Sequence, residues 1–227
     1  MRSIVCFGDS VTLGVPHVPV EDTFPRLLER RLNARRGEHE RVHCVNSGVG
    51  GENTAEGLAR FETAVGRHEP VLVIVEFGLN DIRYEPEKAI GPAEFARNLG
   101  TIHDRVRALG ARVLFTTPNP IINAFHTYSA HTDYYDRWGG CNGAVEHYAQ
   151  IVREVAAERG AALCDVYQAF LDGAVEMEFD GAAADASDLT CLAPYIKRED
   201  GVHPTVLGQR LIALELYRII RGGKLLQ

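Results

Sequence analysis

Short apolar runs alternating with helically spaced segments predict a doubly wound α/β domain, a five-stranded parallel sheet between two layers of helices. Length and composition agree with this. The chain has 227 residues, a size at which a single α/β core is common. Its residues are 45% hydrophobic and 24% charged, enough apolar side chain to bury a sizeable core. No internal repeat or interdomain linker interrupts residues 1–227, so one domain is expected.

The elements follow in order. Ile4 to Phe7 is a short apolar run closed by Gly8 and reads as a buried strand. Leu27, Leu28 and Leu32 then mark a helix, and Val42 to Val45 a second strand. Leu58, Phe61 and Val65 have helical spacing before a third strand, Val71 to Glu76. Phe95, Leu99, Ile102 and Val106 mark the next helix, and Val113 to Thr116 the fourth strand. Residues 118–140 hold Pro120, Gly139 and Gly140 and read as an irregular loop. Asn142 can cap a helix running to about Arg159, with Val145, Tyr148, Ile151, Val152 and Val155 on its apolar side. Ala162 to Val166 is the fifth strand, and a second irregular stretch covers about 172–200. A final helix starts near Pro204 and carries Leu207, Leu211, Leu214, Ile219 and Ile220. Parallel neighbours need crossovers, which right-handed helical connections supply, and ligands of such sheets bind beyond the carboxyl ends of the strands.

The formal net charge is −7, which argues against a nucleic-acid surface. Arg26, Arg30, Arg31, Arg35 and Arg36 are locally basic but alternate with Glu29 and Glu38, as on a solvated helix face. The apolar stretch after Arg2 is far shorter than a signal core or a membrane span. A cytoplasmic protein with no integral membrane segment is the expectation. Of five cysteines, Cys6, Cys44 and Cys164 fall in predicted strands, where a free thiol acts as a small hydrophobe, and no C-x-x-C pair occurs. A reducing compartment is the simpler reading.

Four polar segments sit at strand ends or before the last helix. Gly8-Asp9-Ser10 follows the first strand and presents a serine at the site rim, although the same tripeptide serves as an ordinary turn or cap. Asn46-Ser47-Gly48-Val49-Gly50-Gly51 follows the second, where glycines permit close backbone approach to an anion. A phosphate loop is its rival, but the P-loop lysine and the full dinucleotide-binding glycine spacing are missing. Asn80-Asp81 follows the third strand; an amide there is a neutral donor for an oxyanion, or simply part of a turn. Asp200-Gly201-Val202-His203 places a carboxylate three residues from an imidazole, close enough to fix its tautomer.

Together these segments, in this order, resemble the conserved blocks of the SGNH (GDSL-type) hydrolases, whose letters fall here on Ser10, Gly51, Asn80 and His203. The first block has Val11 where the family name has leucine, and Thr54 stands one position later than in many relatives. The resemblance implies a flavodoxin-like three-layer α/β/α fold and a serine ester hydrolase. In the implied scheme Ser10 is the nucleophile, His203 its base and Asp200 the residue that orients it. Ser10 N–H, Gly51 N–H and the Asn80 amide form the oxyanion hole, with Asp9 and Asn46 as supports behind them. The scheme needs no metal or organic cofactor, and the partner it implies is a small-molecule ester.

The favoured substrate is a short acyl ester, most simply an acetylated carbohydrate. The alternatives are a lysophospholipase or thioesterase of the same superfamily, a non-catalytic binding module that keeps the fold, and, more distantly, a nucleotide-binding protein. Phe125, His126, Tyr128, His131, Tyr134, Tyr135 and Trp138 offer either an aromatic platform over the site or packing that pins a long loop. His126, His131, Asp133 and Asp136 lack regular metal-ligand spacing.

Overall fold

The computed structural model describes residues 2–177 and 189–226. Five parallel strands, β1 (Arg2–Gly8), β2 (Val42–Gly48), β3 (Leu72–Glu76), β4 (Arg112–Thr116) and β5 (Ala162–Cys164), pair in the order β2-β1-β3-β4-β5. This is the doubly wound arrangement expected from the apolar runs. The helices are α1 (Ser10–Leu13), α2 (Phe24–Asn33), α3 (Thr54–Ala59), α4 (Phe61–Ala64), α5 (Pro92–Ala108), α6 (Thr132–Tyr135), α7 (Cys141–Arg159), α8 (Val166–Met177) and α9 (Val206–Gly222).

The central strands β1 and β3 are buried on both faces, which is why Ile4 to Phe7 and Leu72 to Val75 are unbroken apolar runs rather than alternating ones. Helices α2 and α9 pack on each other over one face; α5 packs against α3 and α7 on the other. Leu28 and Leu32 of α2 are one turn apart and both buried, as are Phe95, Leu99, Ile102 and Val106 along α5. Each such side chain contributes roughly 1.5–3 kcal/mol of burial free energy. The buried Gln209 of α9 receives the Phe24 N–H (2.7 Å) and donates to the Val11 carbonyl (3.0 Å), tying both helices to the segment that carries Ser10.

Four boundaries differ from the sequence expectation. The fifth strand stops at Cys164, because Asp165 accepts hydrogen bonds from Gln168 N–H (3.1 Å) and the Arg153 guanidinium, and the chain turns directly into α8. That helix runs to Met177, inside the stretch expected to be irregular, because Val166, Tyr167, Phe170 and Ala174 bury one stripe; the expected irregular residues 178–188 lie outside the described residues. Asn142 is within α7 rather than its cap; Gly140 precedes the helix, and the Asn142 side chain bonds Ile121 N–H and the Tyr167 hydroxyl. Helix α9 begins at Val206 with Thr205 as its cap, while Pro204 pairs with Ile196 in an antiparallel bridge. The 118–140 segment is also more ordered than expected, being a series of 3-10 turns around the short helix α6.

Candidate active site

In this strand order the connections leaving β1 and β3 turn to opposite sides of the sheet, and a crevice opens at their carboxyl ends. Ser10 begins α1 directly after β1. Asp9 caps that turn, its Oδ1 accepting the Val11 N–H at 2.9 Å. The end of β2 lies against the same turn: a Cβ on Gly48 would stand 2.2 Å from the Leu13 nitrogen, so only glycine fits. Asn46 holds the pair together, donating to the Leu13 carbonyl (3.1 Å) and accepting from Gly48 N–H (3.0 Å). Gly51, at φ +78°, turns the chain towards α3, where Asn53 and Glu56 form a capping box.

Asp200 and His203 arrive from a tight turn between Ile196 and Pro204, closed by the Lys197 N–H to His203 carbonyl bond (2.9 Å) and the Gly201 N–H to Lys197 carbonyl bond (2.8 Å). The segment after β4 clamps it from outside. Ile122 N–H donates to the Gly201 carbonyl (2.8 Å), the Asn119 amide to the Val202 carbonyl (3.0 Å), and His126 Nδ1–H to the Asp200 carbonyl (3.2 Å).

The result is a continuous hydrogen-bonded line. His203 Nε2 lies 3.0 Å from Ser10 Oγ, and His203 Nδ1 lies 2.9 Å from Asp200 Oδ2. Asp200 Oδ1 accepts the backbone N–H groups of Val202 (2.8 Å) and His203 (2.9 Å). Burial acts to raise the Asp200 pKa, but the His203 ring and these two N–H groups outweigh it and hold the carboxyl well below the usual carboxylate range. An ionised Asp200 selects the tautomer with the proton on Nδ1, which leaves Nε2 to accept from the serine hydroxyl.

The Asn80 amide meets two acceptors, Asp9 Oδ2 and the Glu52 carbonyl, both at 3.1 Å, which fixes its NH2 group toward the crevice. Among the described residues, the Ser10 and Gly51 N–H groups donate to no protein acceptor. Both border the same cavity as Asn80. That cavity measures about 400 Å³. Leu79, Ile82, Ile121 and Val202 give it apolar lining, and His17, His126 and Glu199 add polar side chains.

Beneath the site lie three buried acids that the sequence reading did not combine. Burial raises Glu76 to about 7, and burial together with the Glu76 charge pushes its neighbour Asp9 well above its ordinary value. Burial of both carboxyls and their mutual repulsion favour the protonated forms. Thr12 Oγ1–H donates to Glu76 Oε2 at 2.9 Å. Asp81, raised to about 7 by burial, accepts from the Thr54 N–H (3.0 Å) and hydroxyl (2.5 Å).

Two imidazoles lie beside the triad: His17, which no sequence feature pointed to, and His126, expected as part of an aromatic platform over the site. His17 stacks on the His203 ring, with centroids 3.4 Å apart and planes at 10°, and its Nδ1 is 3.8 Å from Asp200 Oδ2. Burial and then the His203 charge lower its pKa; burial likewise lowers that of His126. No spacing in the sequence signals the His17 stack. His126 stood only among the loop aromatics, most of which pack on one another. Tyr84 stacks with His131 at 3.7 Å, Tyr135 is buried with its hydroxyl donating to the Ile82 carbonyl (3.1 Å), and Tyr134 and Trp138 pack beside it. Of that loop, Ile121, His126, Thr127 and Tyr128 reach the cavity. Among the described residues, His126, His131, Asp133 and Asp136 do not converge on a common point suited to a metal ion.

Comparison with known proteins gives the fold and the family. An uncharacterised lipoprotein, YqeF, of Bacillus subtilis is 27% identical over 236 residues, spanning 100% of this chain and 90% of its own length. A lipase/acylhydrolase from Enterococcus faecalis superposes with a TM-score of 0.74 at 24% identity, covering 98% of this chain and 97% of that one. The acetyl xylan esterase AlAXEase superposes with a TM-score of 0.72 at 22% identity, covering 95% and 98%. Residues 6–211 match the GDSL-like lipase/acylhydrolase family, so the chain belongs to that family and is a hydrolase acting on ester bonds.

Proposed function

We propose that the protein is a serine carboxylester hydrolase that removes short acyl groups, most simply acetyl, from a hydroxyl-bearing alcohol such as a carbohydrate. The observation that carries the reading is the unbroken line from Ser10 Oγ through His203 to Asp200. His203 takes the Ser10 proton as Oγ attacks the ester carbonyl, and Asp200 stabilises the imidazolium that forms. The oxyanion is received by the Ser10 and Gly51 N–H groups. The Asn80 amide joins them by turning one N–H from the Glu52 carbonyl while Asp9 keeps the other. His203 then returns the proton to the departing alcohol, and water cleaves the acyl-enzyme by the same path reversed.

The apolar lining of Leu79, Ile82 and Ile121 suits the acyl chain, and the polar side chains of His17, His126 and Glu199 suit hydroxyl groups. The likeness to an acetyl xylan esterase is in keeping with this substrate. The buried thiols of Cys6, Cys44, Cys141 and Cys164 fit a reducing compartment, and among the described residues no helix is long and apolar enough to cross a membrane.

The test is turnover of p-nitrophenyl acetate, butyrate and octanoate, and of an acetylated xylo-oligosaccharide, by the protein and its Ser10→Ala variant. Serine-dependent turnover that favours acetate is the expected result. Equal turnover by the variant would overturn the mechanism, and a preference for octanoate would replace deacetylation with a lipase-like or lysophospholipase reading.

A further inference from the structure

A serine, histidine and aspartate in line offer a metal ion two ligands at most, the Nδ1 face of the histidine and the carboxylate. This chain offers a third. His17 places its Nδ1 on the same side as that of His203, and Asp200 Oδ2 faces both, at 3.8 Å and 2.9 Å. The ligand atoms of His17, Asp200 and His203 all lie within 4.8 Å of one another. Among the described residues this is the one group of three or more His, Cys, Asp or Glu side chains so disposed.

We propose that His17, Asp200 and His203 bind a zinc-class divalent cation that switches the hydrolase off. The switching rests on the serine mechanism proposed above; the binding does not. Two imidazole nitrogens and one carboxylate oxygen are the donors zinc takes in three-ligand sites, with water in the fourth position, whereas magnesium and calcium prefer sets made of oxygen. Metal-ligand bonds of 2.0–2.2 Å in a tetrahedron set ligand atoms about 3.3 Å apart. The two separations from Asp200 Oδ2 bracket that value, and the His17 ring, now parallel to the His203 face, must swing off it by tens of degrees to bring its lone pair to the same point. His17 sits on a loop at the rim with a quarter of its side chain exposed (24%), outside the helices and strands of the core. Asp200 enters as an anion and His17 as a neutral ring, the forms that coordinate.

Inhibition follows from the tautomer. A cation on His203 Nδ1 displaces the proton held there, which passes to solvent. The neutral imidazole then carries its one proton on Nε2 and donates it to Ser10 Oγ, so it no longer has a lone pair to deprotonate the serine. Asp200, held by the metal, no longer balances an imidazolium. The cation is therefore an antagonist of turnover rather than a cofactor, consistent with a scheme that needs none.

The experiment titrates the purified full chain with Zn2+ against a chromogenic chelator and, in parallel, records the visible spectrum with Co2+ and the turnover of p-nitrophenyl acetate. His17→Phe, which keeps a ring against His203, and His17→Asn are carried alongside, each checked by thermal melting. One Zn2+ should bind per chain and abolish turnover, EDTA should restore it, and each folded variant should bind more than about 10-fold more weakly, since even residues behind a ligand cost 10- to 100-fold. Co2+ should give the d–d bands of a nitrogen and oxygen set. Undiminished zinc affinity in a folded variant overturns the proposal, as do thiolate charge-transfer bands, which would assign the ion to cysteine. Zinc binding that depends on His17 in a protein without esterase activity would uphold the site and sink the serine mechanism; esterase activity without zinc binding would do the reverse.

Discussion

Asn80 shows how one side chain is shared between structure and reaction. Both of its amide hydrogens are engaged, one by Asp9 and one by the Glu52 carbonyl, so an oxyanion competes with a backbone acceptor for the second. A preorganised amide gains nothing from the ground-state ester, whose carbonyl oxygen carries little charge, and acts when charge develops. Asn80→Ala is therefore expected to lower kcat about 100- to 1000-fold with KM little changed. A rise in KM at constant kcat would place Asn80 in ground-state binding instead. The residue types at Ser10, Asn80, Asp200 and His203 were legible because each stands at a strand end or beside a predicted helix. The Glu52 acceptor was not, because a backbone carbonyl carries no sequence mark.

At the scale of elements, the site depends on how closely β2 is pressed against α1. Gly48 stands where any side chain meets the Leu13 backbone at 2.2 Å, and Leu13 ends the short helix that Ser10 begins. Gly48→Ala must push the two segments apart, at a cost of about 1–3 kcal/mol as for other overpacked sites. Melting should fall accordingly, and turnover should fall with it because the displaced segment holds Ser10, the proposed nucleophile. Full activity in a destabilised variant would separate the packing from the chemistry. Strand and helix positions were readable from periodicity, which reports burial directly. The helix starts at Val206 and Cys141 were not, because Pro204 and Asn142 are recruited by partners distant in sequence, Ile196 for one, Ile121 and Tyr167 for the other.

For the whole molecule, the buried acids couple protonation to folding. Glu76 rises from an ordinary 4.5 to about 7, and Asp81 from 3.8 to about 7. The folded state therefore binds these protons more tightly than the unfolded chain, and the stability they contribute is complete below about pH 4 and lost as pH rises through about 7. His17 and His126 are shifted down, so their contribution runs the other way and is lost as pH falls below about 6.5. Glu76→Gln removes one of the raised acids and leaves the histidines in place. The melting temperature of the variant relative to the parent is expected to climb steadily from about pH 5 to 8; a constant difference would show that Glu76 does not hold its proton.

Sequence alone determined the layered fold and the residues expected at the crevice, because burial periodicity and strand-end motifs are local properties written in neighbouring residues; the flavodoxin-like strand order came only with the family resemblance. Tertiary structure decided which side chains touch. The Ser10, His203 and Asp200 distances, the burial of Asp9 beside Glu76, and the His17 ring on His203 join segments as far apart as 193 residues. Their electrostatic consequences arise only when folding removes water from between them and lowers the local dielectric.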